Sequence, residues 1–138
     1  MTRTDQLVDR KTQPIVGGAC VLIGVALETT ADLQLQRFRR DPLSHGKVLD
    51  RGLWRYSRHP NYFGELGFWW GLYLFSVAAD TTGAAVERSA IGPLVITSLL
   101  VFYSAPALDR RLAARGPAYR DYMRRVPSLL PRTPRVPR

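Results

Sequence analysis

The residues best suited to chemistry gather between positions 28 and 65. Glu28, Asp32, Gln36 and Arg39 recur at spacings of four, four and three, so a helix through them carries all four on one face. Downstream, the stretch "RGLWRYSRHPNYFGE" interleaves Arg51, Arg55 and Arg58 with Tyr56, His59, Asn61, Tyr62 and Glu65. Guanidinium forks match phosphate oxygens bidentately. Aromatic rings offer a plane to a base, and amide, imidazole and carboxylate groups bond ribose hydroxyls. Together these are the parts of a nucleotide-type cofactor site. Two blander readings of the same residues stay open: arginines that fix topology among lipid headgroups, and carboxylates that serve only as their ion-pair partners.

Other chemistries find no support in the spacing. Two histidines, His45 and His59, with the single Cys20 form no recognisable metal-ligand set. Neither GxGxxG nor a Walker loop occurs, so a nucleotide site here is not of Rossmann or P-loop type. No side chain stands out as a proton donor to a substrate, and no catalytic residue is expected within the chain.

The elements that must position these residues follow from how charge is segregated over the 138 residues. Three stretches carry no charge at all: Thr12–Leu27, Leu66–Ala79 and Ser89–Leu108. A bilayer core needs about 20 mostly apolar residues. The third stretch meets this unaided; the first two reach it only by carrying Glu28 or Glu65 to a membrane interface. A soluble bundle of buried helices is the alternative, disfavoured by apolar residues on every helical face. The reading is therefore all-α: an integral membrane bundle with spans at about 14–33, 62–79 and 89–108, and a short amphipathic C-terminal helix. Residues 1–13 are expected to form a tail, 14–131 the membrane domain and 132–138 a disordered basic end.

The net charge of +9 invites a nucleic-acid partner, but its distribution argues for membrane lipids instead. Arg37–Arg58 holds seven Lys/Arg against two Asp, Arg110–Arg138 nine Arg against one Asp, and the connector Asp80–Arg88 one Arg against two acids. Three spans put both basic segments on one side, which the positive-inside rule makes cytoplasmic, together with the C-terminus. The first helix is expected from about Pro14 to Arg39. The second starts at Pro60, a residue suited to a first helical turn, and brings Gly64, Gly67 and Gly71 near one face for close helix approach. The third is expected to end near Leu108, with the amphipathic segment broken at Gly116 and Pro117.

"GLWRYSRHPNYFGE", preceded by "ETTADLQLQRFRRDP" and followed by "YRDYMRRVPSLLP", resembles the C-terminal half of bacterial membrane proteins grouped with the steroid 5-alpha-reductases. The resemblance runs from about Gly17 to Pro131. Relatives in that superfamily include NADPH-dependent sterol C=C reductases and isoprenylcysteine carboxyl methyltransferases that use S-adenosylmethionine. It implies a cytoplasm-facing cofactor pocket lined by Glu28, Asp32, Arg39, Tyr56, Arg58, His59, Asn61, Tyr62 and Glu65, to which the basic loop adds Arg51 as a phosphate contact. Asn61 and Glu65 favour the dinucleotide, and "LDRR", with Asp109 alone where the methyltransferases carry a paired glutamate, weakens the methyl-transfer alternative. The implied reaction is NADPH-dependent reduction of a C=C bond in a lipophilic conjugated ketone, in a bacterial plasma membrane. The family's members are longer, and in the reductases the catalytic acid lies in the preceding half. The resemblance thus implies a cofactor half-site completed by an N-terminal half or partner subunit, or else a non-catalytic membrane subunit.

Overall fold

The computed structural model of the chain describes residues 3–80 and 88–134, with side chains from residue 12 onward, and every regular element among them is helical. Helix α1 runs over Arg3–Arg40, α2 over Pro60–Ala79, α3 over Ile91–Ala113 and α4 over Pro117–Arg125. Between α1 and α2, 3₁₀ turns form at Pro42–Ser44 and Gly52–Arg55.

Helix α1 starts at Arg3, not at Pro14, and so takes in the expected N-terminal tail. Pro14 sits inside the helix, where it removes one backbone hydrogen bond from the ladder. Helix α3 likewise continues past Leu108 to Ala113. Its middle, Leu99–Ser104, is π-helical, and the Ala105 amide bonds to Leu100 O five residues back. Pro106 follows directly, and a wider turn relieves the clash that its ring makes with the preceding turn of a regular helix.

Helices α1 and α2 make the most extensive packing in the molecule, and glycine is the reason they lie so close. A Cβ on Gly24 would stand 2.5 Å from Phe68 N and 2.6 Å from Gly64 O, and one on Gly64 would stand 2.6 Å from Glu28 N and Gly24 O. Gly17 and Gly71 repeat the arrangement a further seven residues away, with 2.9 Å to Gly17 O from a Cβ on Gly71. The tight pairs are thus Gly24 with Gly64 and Gly17 with Gly71. Gly67 has room for a Cβ, whose nearest neighbour would be Gly24 Cα at 3.5 Å. Helix α3 leans on α2, where Trp70 Nε1 donates to Thr97 Oγ1 at 3.1 Å.

Two helical stretches, Thr12–Arg40 and Ile91–Ala113, are long and apolar enough to cross a membrane, and only 17% of the apolar window in each is buried. Ile15, Leu22, Ile91, Val95, Phe102 and Tyr103 are among the large apolar side chains left exposed on them. Helix α2 has 20 residues, but its tryptophans, tyrosines, glycines and Glu65 dilute its apolar character, so the described helices give two candidate spans where the sequence reading counts three. Most of the connector expected to face the opposite side, residues 81–87, lies outside the described residues.

The polar end is built by the loop from 41 to 59. Its anchor is Trp54, 9% exposed, whose Nε1 donates to Ala31 O of α1 at 3.1 Å. Ala31, Leu49 and Trp54 form a small core flanked by Leu35, Phe38 and Leu53. Gly52 closes the turn at φ +62°, where Leu53 N donates to Gln34 Oε1 at 3.0 Å; the left-handed backbone favours glycine there. The segment after α4 then clasps this loop. Arg58 N donates to Pro127 O, His59 N to Ser128 O and Arg132 N to Tyr56 O, at 3.0–3.1 Å. Arg132, expected at the start of a disordered tail, is therefore tied down; residues 135–138 of that tail lie outside the described residues.

Candidate functional site

The polar end holds two adjoining groups of side chains. The first is buried and centres on Asp109, 5% exposed, near the end of α3. Its Oδ2 pairs with Arg58 Nη2 at 3.0 Å. Its Oδ1 accepts from Tyr119 OH at 2.8 Å and lies 3.0 Å from His59 Nε2. A carboxylate only accepts, so Nε2 of His59 carries the proton in that bond. Arg58 Nη1 donates to Met123 O at 3.1 Å, while its buried Nε has no partner. His59 is 1% exposed and its ring stacks on Tyr62, with 5.1 Å between centroids and 9° between planes.

The sequence places these groups by simple local rules. Pro60 starts α2 and holds His59 just outside the helix, one turn from Tyr62. Gly116 and Pro117 turn the chain back after α3, so Tyr119 and Tyr122 of α4 return to the loop. Tyr122, 2% exposed, donates its hydroxyl to Trp54 O. Burial, followed by its hydrogen bond to Asp109, holds the Tyr119 phenol far above the ordinary tyrosine range, and burial raises Tyr122 as well. Both phenols are therefore firmly protonated donors at neutral pH.

The second group is open. A groove of about 380 Å³ is lined by Glu28, Thr29, Asp32, Leu33 and Gln36 of α1, the face that the four-residue spacing selects. Glu65 and Tyr62 of α2 are not part of this lining, but the Glu65 charge acts on Glu28, and the charges of Glu65, Asp109 and Asp32 act on Tyr62. Tyr62 stacks on His59 of the buried group and feels the charges of both groups. Among the described residues, no cluster of His, Cys, Asp and Glu is placed to hold a metal ion.

Of the ten residues expected to line a cofactor pocket, Glu28 and Asp32 line the groove, and Glu65 and Tyr62 of α2 are electrostatically coupled to them. Arg58 and His59 do not line the groove: Asp109 and Met123 O take the two guanidinium Nη atoms, and Asp109 takes the imidazole Nε2. Arg39 is exposed in the last turn of α1, about one turn beyond Gln36, and Arg51 is exposed beside the turn that docks on Gln34. Tyr56 is 43% exposed on the same loop, and Asn61 is half-buried in the first turn of α2. The residues absent from the sequence reading of the site are Asp109 and Tyr119. The signal for Asp109 is a carboxylate between an apolar span and "RR"; nothing in its spacing identifies Arg58 and His59 as its partners.

An uncharacterized protein of Schizosaccharomyces pombe is 33% identical over 101 residues, which cover 70% of this chain and 27% of the yeast protein. The chain thus spans about a quarter of that relative's length. No solved structure matches it. Residues 2–126, which include the whole Asp109 network and the groove, match the family described as "Protein of unknown function (DUF1295)", one associated with steroid 5-alpha-reductase-like membrane proteins, and the chain belongs to that family.

Proposed function

We propose that the chain is a membrane-embedded, cofactor-binding unit of an NADPH-dependent reductase acting on a C=C bond of a lipophilic conjugated ketone. The observation that carries this reading is the polarity along one face of α1. Glu28 and Asp32 line the groove, and Arg39 lies about one turn beyond it along the helix, with Arg51 exposed beside the turn that docks on Gln34. Carboxylates suit ribose hydroxyls and a nicotinamide amide, whereas exposed guanidinium groups suit the pyrophosphate and the 2′-phosphate. NADPH, when bound, would supply the hydride. Asn61, Tyr62 and Glu65 would orient the nicotinamide, and Arg39 and Arg51 would hold phosphate. The proton for the reduced product would come from outside these residues, from an N-terminal half or partner subunit. The unit spans the membrane three times, α2 included, with both basic segments and the C-terminus in the cytoplasm of a bacterium.

One observation favours a second reading, an S-adenosylmethionine-dependent methyltransferase. The groove itself is lined by two carboxylates and by no cation, which suits a sulfonium and an ammonium better than a phosphate. Titration of the purified chain in detergent with NADPH, NADH and S-adenosylmethionine separates the two readings. The reductase reading expects NADPH to bind at least tenfold more tightly than NADH, since only NADPH carries the 2′-phosphate. Tighter binding of S-adenosylmethionine would replace it with the second.

A further inference from the structure

The carboxylate of Asp109 has no assigned part in the site, yet three donors from three elements converge on it: Arg58 from the loop, His59 from the start of α2 and Tyr119 from α4. This is more than an ion pair requires. Arg58 alone balances the charge, so the other two bonds fix geometry. The bond to His59 determines which imidazole nitrogen carries the proton facing inward. It also sets the plane of the ring, because the opposite side is committed to the stack on Tyr62 at 9°. Tyr62 in turn feels the charges of Glu65 and Asp32 as well as that of Asp109. A continuous path therefore runs from Asp109 through His59 to Tyr62, rigid at its buried end because Asp109 and His59 are 5% and 1% exposed.

We propose that Asp109 is a positioning residue: it holds His59 with its proton on Nε2 and its ring flat against Tyr62, and so sets the face that Tyr62 presents to the groove. Tyr119 supports it by donating to the same oxygen that His59 uses. The consequence for cofactor affinity rests on the cofactor reading above; the ring geometry does not.

The test is ¹⁵N NMR of the imidazoles in the full chain in detergent. The protein has only two histidines, so His45→Gln assigns the signals. The wild type should show His59 with a directly bonded, slowly exchanging proton on Nε2. In Asp109→Asn that protection should be lost and the Tyr62 ring resonances should move. Should Asp109→Asn fail to fold, Tyr119→Phe serves in its place: it leaves the Arg58 pair intact but should still shift the Nε2 proton. A His59 that carries no proton on Nε2 overturns the proposal, as does a folded variant whose His59 and Tyr62 signals match the wild type. In cofactor titrations, Asp109→Asn or Tyr119→Phe should weaken binding at least tenfold or threefold, respectively. Wild-type protein that binds neither cofactor would refute the cofactor reading while the imidazole spectra still decide the role of Asp109.

Discussion

Arg58 changes meaning once its partners are known. As an arginine beside His59 and Tyr62 it reads as a phosphate ligand, but its fork is spent on Asp109 and Met123 O. Removing one member of a buried pair leaves an uncompensated charge, a loss of about 3–5 kcal/mol. Arg58→Ala should therefore lower the unfolding midpoint in detergent sharply, and an equal midpoint would contradict the buried pair. Loss of cofactor binding in that variant would report a damaged fold, so Arg39 and Arg51, both exposed, are the cleaner tests of a phosphate contact. Trp54→Phe removes the bond to Ala31 O and should destabilise by about 1–2 kcal/mol, measured in the same way. The tyrosines predict a pH dependence. Tyr119 and Tyr122 are raised in the folded state, so their contribution is intact below about pH 10, the unfolded value. It is lost as pH rises above that, because the unfolded chain releases those protons first. Denaturation midpoints should fall progressively as pH rises above about 10, and should fall less in a variant with both tyrosines replaced by Phe.

At the level of elements, the α1–α2 pair is held by backbone proximity. Gly24→Val would drive a side chain into Phe68 N and Gly64 O, backbone atoms that move only if the helices part. The expected loss is about 1–3 kcal/mol or more, read as a lower unfolding midpoint. Gly18→Ala, whose Cβ would meet only the ring of Phe75 at 3.3 Å, should be tolerated. Much of this scale was legible in the sequence. The start of α2 at Pro60, the acidic stripe of α1 and a glycine face on α2 all follow from residue type and period. Gly17 and Gly24 were missed because a glycine on the partner helix shows its purpose only when the two backbones meet. The same limit hid Asp109: its partners His59 and Tyr119 lie 50 and 10 residues away in sequence, and only the fold brings them within bonding distance. The start of α1 was misjudged where Pro14 was read as a helix start, since it lies inside the helix; the end of α3 was placed at the first charge, Asp109, although the helix carries its charged residues on to Ala113.

On the scale of the whole molecule, two helices expose most of their apolar surface, and most of the exposed cations among the described residues lie at the end of α1, on the loop and at the α3–α4 end. The membrane reading predicts how the single cysteine behaves. Cys20 lies in the apolar part of α1, so in intact membranes it should resist an impermeant maleimide and react only after detergent is added. Ready labelling in intact vesicles would contradict burial of that segment in lipid. In a Cys20→Ala background, Leu130→Cys, at a position 70% exposed, should react only from the cytoplasmic side.

The central claim is that the groove on α1, with the cations beyond it, holds NADPH. Its most direct test is equilibrium binding of NADPH to the purified full chain in detergent, compared with Asp32→Asn and Arg39→Ala. The account predicts saturable NADPH binding, weakened at least tenfold by either substitution, with both variants folded. Binding that neither substitution changes, or preference for S-adenosylmethionine over NADPH, would contradict it.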